Sequence, residues 1–153
     1  MMNFPIKGAW AASEVEAFLD RGGLPLRLAC TGGDGFPRVV SLWYRYQQGQ
    51  LVCVTHKDAH ILALLNRDNR VGFEVAPNEP PYHGVRGQGT AEITDLGAGQ
   101  ALEELLGRYL GGTESSLAQW LMSRSDEERV ITISPTRVFS WDYRLRMADA
   151  VGA

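Results

Sequence analysis

Cysteines, basic clusters and long apolar runs are all scarce in this sequence. Its 153 residues include two cysteines, Cys30 and Cys53, each inside an apolar run and without the C-x-x-C spacing of metal or redox motifs. A disulfide framework needs more cysteines, so we expect two buried thiols in a reducing cytosol. Lys and Arg number 15 against 18 Asp and Glu. The net charge of −3 therefore argues against a nucleic-acid-binding protein, which normally carries a basic face.

The sequence also has little that indicates a membrane or a disordered protein. No apolar run reaches the roughly 20 residues that a membrane-spanning helix needs, and the first eight residues lack the apolar stretch of a signal peptide. We therefore expect a cytoplasmic protein without a membrane partner. Hydrophobic residues make up 44% and charged residues 22%, as in soluble globular proteins. With no repeat or linker, the length predicts one domain over residues 1–153.

The apolar pattern predicts strands joined by turns and a few short helices. A capping box at Ser13 and Glu16 predicts a first helix, over residues 13–21. Asp58 is expected to cap a second helix, and two more are predicted over residues 100–109 and 116–124. Strands are predicted over residues 26–31, 38–46, 51–55, 71–76, 84–94, 130–134 and 137–143. Because helices do not follow nearly every strand, the pattern favours a mainly β antiparallel barrel over an α/β sheet.

Three glycines, Gly84, Gly87 and Gly89, interrupt one predicted strand. Their order does not match a dinucleotide-binding fingerprint, and no helix follows them. Glycine inside a strand marks a bend, a bulge or the close approach of another group. Two interpretations follow, barrel curvature or a flat ligand lying against the strand.

Thr55, His56, Lys57 and His60 form a polar corner between a predicted strand and a predicted helix. The helix N-terminus there would direct backbone N–H groups and positive partial charge at an anion. An ordinary solvated corner is the other interpretation. His56 and His60 are four residues apart, so on a helix they would share a face. With His83 as the only other histidine and no recognisable third ligand, we expect no metal site.

Several motifs follow one another along this pattern. The run Arg38-Val39-Val40-Ser41-Leu42-Trp43 places an arginine at the start of a hydrophobic strand, and Val54-Thr55 ends the next strand. Ala59-His60-Ile61 follows at the corner, and Trp141 lies in the closing strand. In this order the motifs resemble those of the pyridoxamine 5′-phosphate oxidase-like family of flavin-binding split β-barrels, over about residues 26–146.

The chain departs from the family pattern at three places. The family carries a lysine five positions after the arginine, where this chain has Trp43. Its Ser-Arg-Lys phosphate corner is Ala59-His60-Ile61 here, and Arg144-Leu145-Arg146 lacks the histidine that handles substrate in the true oxidase. Because the histidine that handles substrate is missing, the sequence does not predict pyridoxamine phosphate as the substrate.

The resemblance implies an antiparallel split β-barrel that forms a homodimer and holds a flavin at sites shared between the subunits. FMN is the implied cofactor, and a deazaflavin is the alternative because the lysine is missing. Arg38 has the planar fork that grips phosphate. The implied cofactor-binding residues are Arg38, Val39, Val40, Ser41, Val54, Thr55, His56, Lys57, His60 and Trp141.

The implied activity is an FMN-dependent oxidoreductase acting on a small-molecule substrate. The flavin would carry the redox chemistry, and we assign no residue as a catalytic acid or base. The alternative functions are those of a deazaflavin-dependent reductase, of a non-catalytic flavin- or haem-binding module, and of a scaffold that has lost its cofactor.

Overall fold

The computed structural model describes residues 2–150, which form eight strands and four α-helices. The strands are β1 (Ile6–Gly8), β2 (Leu26–Thr31), β3 (Pro37–Leu42), β4 (Tyr44–Gln47), β5 (Gln50–His56), β6 (Arg70–Val75), β7 (His83–Thr94) and β8 (Glu128–Asp142). The helices are α1 (Ala12–Asp20), α2 (His60–Arg67), α3 (Ala98–Leu110) and α4 (Ser116–Ser123), and a 3₁₀ turn, Ser125–Glu127, precedes β8. Within residues 2–150, no helix combines the length and the apolar character needed to cross a membrane.

The strands form one sheet in the order β3-β2-β6-β7-β8-β5-β4. All pairings along this order are antiparallel, and β1 adds to β8 in parallel. The sheet curls until β3 approaches β5 without pairing with it. This open seam makes the barrel a split one, as the sequence predicted.

The core lies inside the curled sheet because side chains alternate between its two faces. On β2, Leu26 and Leu28 are fully buried, and Leu28 lies opposite Phe73 of β6. Helix α1 closes one side of the core with its buried apolar face, Val15, Phe18 and Leu19. Both cysteine thiols are buried and free, and burial raises the pKa of Cys53 to about 12.

Two helices begin at residues other than those predicted. Helix α1 has Ala11 as its N-cap, and the Ala11 N–H donates to Glu14 Oε1 at 3.2 Å, so the box predicted at Ser13 and Glu16 is wrong by two residues. Helix α2 has Ala59 as its N-cap with no side-chain hydrogen bond to it, so the cap predicted at Asp58 is wrong. The Asp58 N–H donates to His56 Nδ1 at 3.2 Å. Neither helix therefore begins with the side-chain cap that the sequence predicted.

The predicted strand over residues 38–46 is broken at Trp43, so that β3 and β4 are separate strands. The Tyr44 hydroxyl, fully buried beyond the break, donates to the Leu19 carbonyl oxygen at 2.8 Å. Trp43 itself packs against Tyr109 of α3. Contacts with α1 and α3 therefore turn the chain at Trp43, although the alternating pattern of a strand continues through this residue.

The two closing strands predicted over residues 130–134 and 137–143 are one strand, β8. A register shift between Gln88 and Gly89 of β7 lets β8 continue through Pro135, in agreement with the tolerance of proline at bulges. A Cβ added at Gly89 would lie 2.3 Å from the Ser134 carbonyl oxygen. At Gly87 it would meet Phe73 Cζ at 2.6 Å. The glycines of β7 therefore fit the close approach of the protein's own atoms.

Candidate functional site

A cavity of about 360 Å³ lies at the open seam of the barrel. Strand β3 forms one wall, the end of β5 contributes Thr55, and the start of α2 forms the other wall. Its lining residues are Arg38, Val39, Val40, Ser41, Leu42, Thr55, Ala59, His60, Ile61 and Leu64. Six of the ten cofactor-binding residues expected from the sequence thus line one cavity.

The β3 wall presents free backbone groups because β3 pairs only with β2 within the described sheet. Hydrogen-bonded and non-bonded residue pairs alternate along the β2–β3 ladder. A hydrogen bond of 2.8 Å from the Gly32 N–H to the Phe36 carbonyl shows which pairs are the bonded ones. In an antiparallel ladder the residues between bonded pairs direct their N–H and C=O groups away from the partner. Val39 and Ser41 occupy those positions, so their backbone groups face the seam.

The opposite wall is the N-terminus of α2. No side chain caps this helix at Ala59. The Ala59 and Leu62 N–H groups donate to the His56 and Ala59 carbonyls, and the N–H groups between them have no partner within the helix. Ile61 and Leu64 are buried beneath the wall, whereas His60 is exposed at its rim. The wall therefore combines an apolar base with the positive end of a helix dipole.

Arg38 is the cationic group of the cavity, and Asp34 is its ionic partner. Arg38 Nη2 lies 3.0 Å from both carboxylate oxygens of Asp34, and Nη1 donates to the Phe36 carbonyl at 3.0 Å. Both charged side chains are substantially exposed, at 41% and 56%. The hydrogen bond from Arg38 holds the pKa of the Asp34 carboxyl below its usual value. Asp34 was not among the cofactor-binding residues expected from the sequence. Its position four residues before Arg38, across a glycine turn, could have indicated the ion pair.

Four expected site residues lie outside the cavity. Val54 points to the other face of β5 from Thr55 and packs toward α3 and α4. His56 Nε2 lies 3.3 Å from Glu127 Oε2, and Lys57 Nζ lies 3.8 Å from Glu127 Oε1. The polar corner is therefore divided. Thr55 lines the cavity, whereas the side chains of His56 and Lys57 contact the 3₁₀ turn before β8.

Trp141, the fourth of these residues, lies near the end of β8, opposite Gly84 of β7. The Arg86 guanidinium lies 5.4 Å from the Trp141 ring centroid and 4.6 Å from that of Phe139. Trp141 is thus part of the outer surface formed by β7 and β8, away from the lining of the seam cavity in the same chain.

The histidines do not assemble into a metal site. His56 belongs to β5 and His60 to α2, so the shared helix face considered from their spacing does not exist. His83 Nδ1 lies 2.8 Å from the Pro81 carbonyl oxygen, and its ring packs near Trp10. Over residues 2–150, no group of three or more His, Cys, Asp or Glu side chains is placed to hold a metal ion.

A second groove, of about 620 Å³, crosses the outer face of the sheet and was not predicted from the sequence. Val39, 66% exposed, lines both this groove and the seam cavity. Phe139 on β8 is 39% exposed at the same face. The remaining lining residues are Arg27, Ala29, Gly72, Phe73, Glu74, Arg86, Gly87, Gln88 and Arg137. The groove could have been predicted from the alternation of residues on β3 and β8, because both strands carry large apolar side chains on the face that is turned to solvent.

Comparison with known proteins gives matches among solved structures only. No family model matches the sequence, and no curated protein matches it. A conserved hypothetical protein of Mycobacterium tuberculosis is 23% identical, with a TM-score of 0.77 over 92% of this chain and 89% of that one. An F420 reductase is 20% identical, with a TM-score of 0.69 over 85% of this chain and 98% of that one.

A third structure bears on the resemblance found in the motifs. A Listeria innocua protein assigned as a pyridoxamine 5′-phosphate oxidase is 17% identical, with a TM-score of 0.62 over 82% of this chain and 94% of that one. At these identities the likeness concerns the fold. The chain therefore has the split β-barrel fold of the pyridoxamine 5′-phosphate oxidase-like proteins, as the order of its motifs predicted.

Proposed function

We propose that this protein binds FMN in the seam cavity and acts, as a homodimer, as an oxidoreductase on a small-molecule substrate. The observation that carries the proposal is the cavity itself, which gathers Arg38, Thr55 and His60 beside the free edge of β3. A flavin mononucleotide needs a cationic and hydrogen-bonding anchor for its phosphate and a flat, mostly apolar slot for its ring. The lining supplies both kinds of surface.

The phosphate anchor consists of three different donors. Arg38 offers a guanidinium, which binds phosphate through paired N–H groups. Thr55 offers a hydroxyl, and the uncapped start of α2 offers backbone N–H groups with favourable partial charge. His60 adds a donor at the exposed rim. Together these groups fit a phosphate without the lysine and arginine that the related motif carries.

The ring would lie along the β3 wall. The backbone N–H and C=O groups of Val39 and Ser41 face the seam and can bond to the polar edge of a flavin. Leu42 and Ile61 give the slot its apolar sides. Bound there, a flavin supplies the electron or hydride transfer, and the protein sets its orientation and its exposure to water.

A second copy of the chain is proposed to cover the outer groove. Val39 and Phe139 expose apolar surface there, and an apolar patch beside a ligand cavity indicates an interaction site. Arg27, Glu74 and Arg86 lie in a row on neighbouring strands of this face. Mixed charges of this kind can complement their own copies across a two-fold axis. Because Val39 belongs to both the groove and the seam cavity, the second copy would also border the cofactor.

A deazaflavin is the second candidate for the cofactor. The corner residues Ala59 and Ile61 carry no charge, so the anchor holds less positive charge than the related FMN corner. The F420 reductase among the similar folds favours the same alternative. The reaction would remain a reduction or oxidation of a small molecule, with a different hydride carrier.

The proposal is tested with the full-length protein purified without added cofactor. We expect its visible spectrum to show flavin or deazaflavin absorption, and we expect FMN fluorescence to be quenched on titration. Light scattering should report a dimer at micromolar concentration. A protein that binds neither FMN nor a deazaflavin would overturn the cofactor assignment, and a monomer that binds FMN would overturn the shared site alone.

A further inference from the structure

The turn between β2 and β3 presents the Asp34 carboxylate to Arg38, which lines the seam cavity. Asp34 Oδ1 accepts a hydrogen bond of 3.1 Å from the Phe36 N–H, which fixes the carboxylate within the turn. Arg67, from the last turn of α2, donates through Nη2 to the Gly33 carbonyl at 3.3 Å. The position of Asp34 is therefore set by the folded turn and by α2, beyond its contact with Arg38.

The guanidinium of Arg38 lies against this same turn. A Cβ added at Gly32 would lie 2.7 Å from Arg38 Cζ, so the side chain packs over the turn backbone. Nη1 donates to Phe36, and Nη2 faces both oxygens of Asp34. Two oxygens can bind a guanidinium in parallel through the Nε–Nη2 edge or through the Nη1–Nη2 edge. Nη2 carries one N–H on each edge, so the contact with Asp34 takes up one edge, and a phosphate makes a two-pronged contact only at the other edge or by displacing Asp34.

We infer that Asp34 competes with the cofactor phosphate for Arg38 and thereby sets how strongly the cavity prefers a phosphorylated flavin over riboflavin. This inference rests on the proposed flavin function. A phosphate that takes the fork of Arg38 displaces the Asp34 carboxylate and then lies close to its negative charge. Both effects weaken phosphate binding and leave the ring contacts of β3 unchanged.

The exposure of the pair sets the size of the effect. Arg38 and Asp34 are 41% and 56% exposed, and ion pairs in that setting are weak and exchange readily. Asp34 is therefore a modulator of affinity and does not block the cavity. We expect its neutralisation to tighten FMN binding by up to about fivefold.

An orienting role for Asp34 predicts the opposite sign. If the carboxylate holds Arg38 ready for the phosphate, its removal loosens the guanidinium and weakens FMN binding. The two roles are therefore distinguished by the direction of one change in affinity. Riboflavin provides the internal reference because it carries no phosphate.

The test compares wild type with Asp34→Asn in the full-length protein. Asparagine retains an oxygen that can accept from the Phe36 N–H, so the turn is preserved, and a melting curve checks the fold. Asp68→Asn is the matched control. Asp68 also accepts from a backbone N–H two residues ahead and from the side chain of Arg70, but its partner Arg70 does not line the seam cavity as Arg38 does. FMN and riboflavin dissociation constants are measured for each protein by flavin fluorescence.

The inference predicts tighter FMN binding by Asp34→Asn, unchanged riboflavin binding, and wild-type constants for Asp68→Asn. The gain should shrink when Arg38 is also replaced by alanine, because the competition is then lost and only the repulsion between Asp34 and the phosphate remains. Unchanged or weaker FMN binding by Asp34→Asn, with normal binding by wild type, overturns the competition and leaves the flavin function standing. Failure of wild type to bind any flavin overturns both.

Discussion

The rings of Trp43 and Tyr109 stack nearly parallel, with centroids 5.1 Å apart and planes inclined by 8°. The Tyr109 hydroxyl accepts from the Tyr44 N–H at 3.2 Å and donates to the Leu24 carbonyl at 2.6 Å. Trp43 therefore belongs to the packing of α3 on the sheet and does not line the seam cavity. The residue at the position of the family's lysine has a structural role in this chain.

Replacing Trp43 by lysine should destabilise the fold without improving FMN binding. Loss of the stack and of half-buried aromatic surface should lower the free energy of unfolding by about 2–3 kcal/mol. Trp43→Phe keeps an aromatic ring and should lose less. Chemical denaturation measures stability, and fluorescence titration measures affinity. Tighter FMN binding by Trp43→Lys would mean that the lysine does reach the phosphate.

Arg38→Ala should weaken FMN binding by roughly ten- to a hundredfold, because it removes a charge-assisted contact to the phosphate. Riboflavin should bind wild type and variant almost equally. Arg70→Ala removes another exposed arginine with an aspartate partner outside the cavity, so it serves as the control. Equal FMN constants for wild type and Arg38→Ala would assign Arg38 to the turn alone.

His60→Lys should tighten FMN binding by a few-fold, and added salt should reduce the gain because the site is exposed. Ala63→Lys adds the same charge to an exposed position of α2 outside the cavity and should change little. Ile61→Lys would instead place an ammonium group at a position 6% exposed within the core, so it should lower the melting temperature. Equal gains from His60→Lys and Ala63→Lys would indicate a general charge effect.

Glu128→Gln should become more stable relative to wild type as the pH rises. Glu128 is 4% exposed, and burial raises the pKa of its carboxyl although Arg124 lies 3.8 Å away. Its favourable contribution to folding is complete below the unfolded pKa, near about 4.3, and is lost as the pH rises through the higher folded value. Glutamine does not ionise, so the variant escapes that loss.

Thermal melts of wild type and Glu128→Gln from about pH 4 to 7 measure this difference. Glu127→Gln is the control because that side chain contacts His56 and Lys57 at the surface. It should show no gain at neutral pH. A difference between Glu128→Gln and wild type that stays constant across the range would contradict the raised pKa.

Phe139→Glu should dissociate the proposed dimer and weaken FMN binding with it. The substitution places a carboxylate on the apolar part of the outer groove. Leu96→Glu, at an 81% exposed loop position away from that groove, should leave the dimer intact. Light scattering over a concentration series measures both. A Phe139→Glu protein that remains a dimer would move the interface to another face.

The sequence by itself determined most strands and the residue types of the candidate site. Alternation along β2 and the glycines before β3 are local properties, and they predicted these elements closely. The arginine at the start of β3 and the threonine near the end of β5 were also readable, since each follows from its place in a strand. The Asp34 contact was equally local, because four residues and a turn separate it from Arg38.

The tertiary structure decided which of these residues meet. Thr55 reaches the cavity and Val54 does not, because the pairing of β5 with β8 and the packing of α3 fix which face of β5 turns to the seam. The break at Trp43 depends on Tyr109, 66 positions away, and the continuity of β8 depends on the bulge beside Gly89. Side-chain alternation is set by neighbouring residues, whereas the partner of each face is set by strand pairing and packing between residues far apart in the chain.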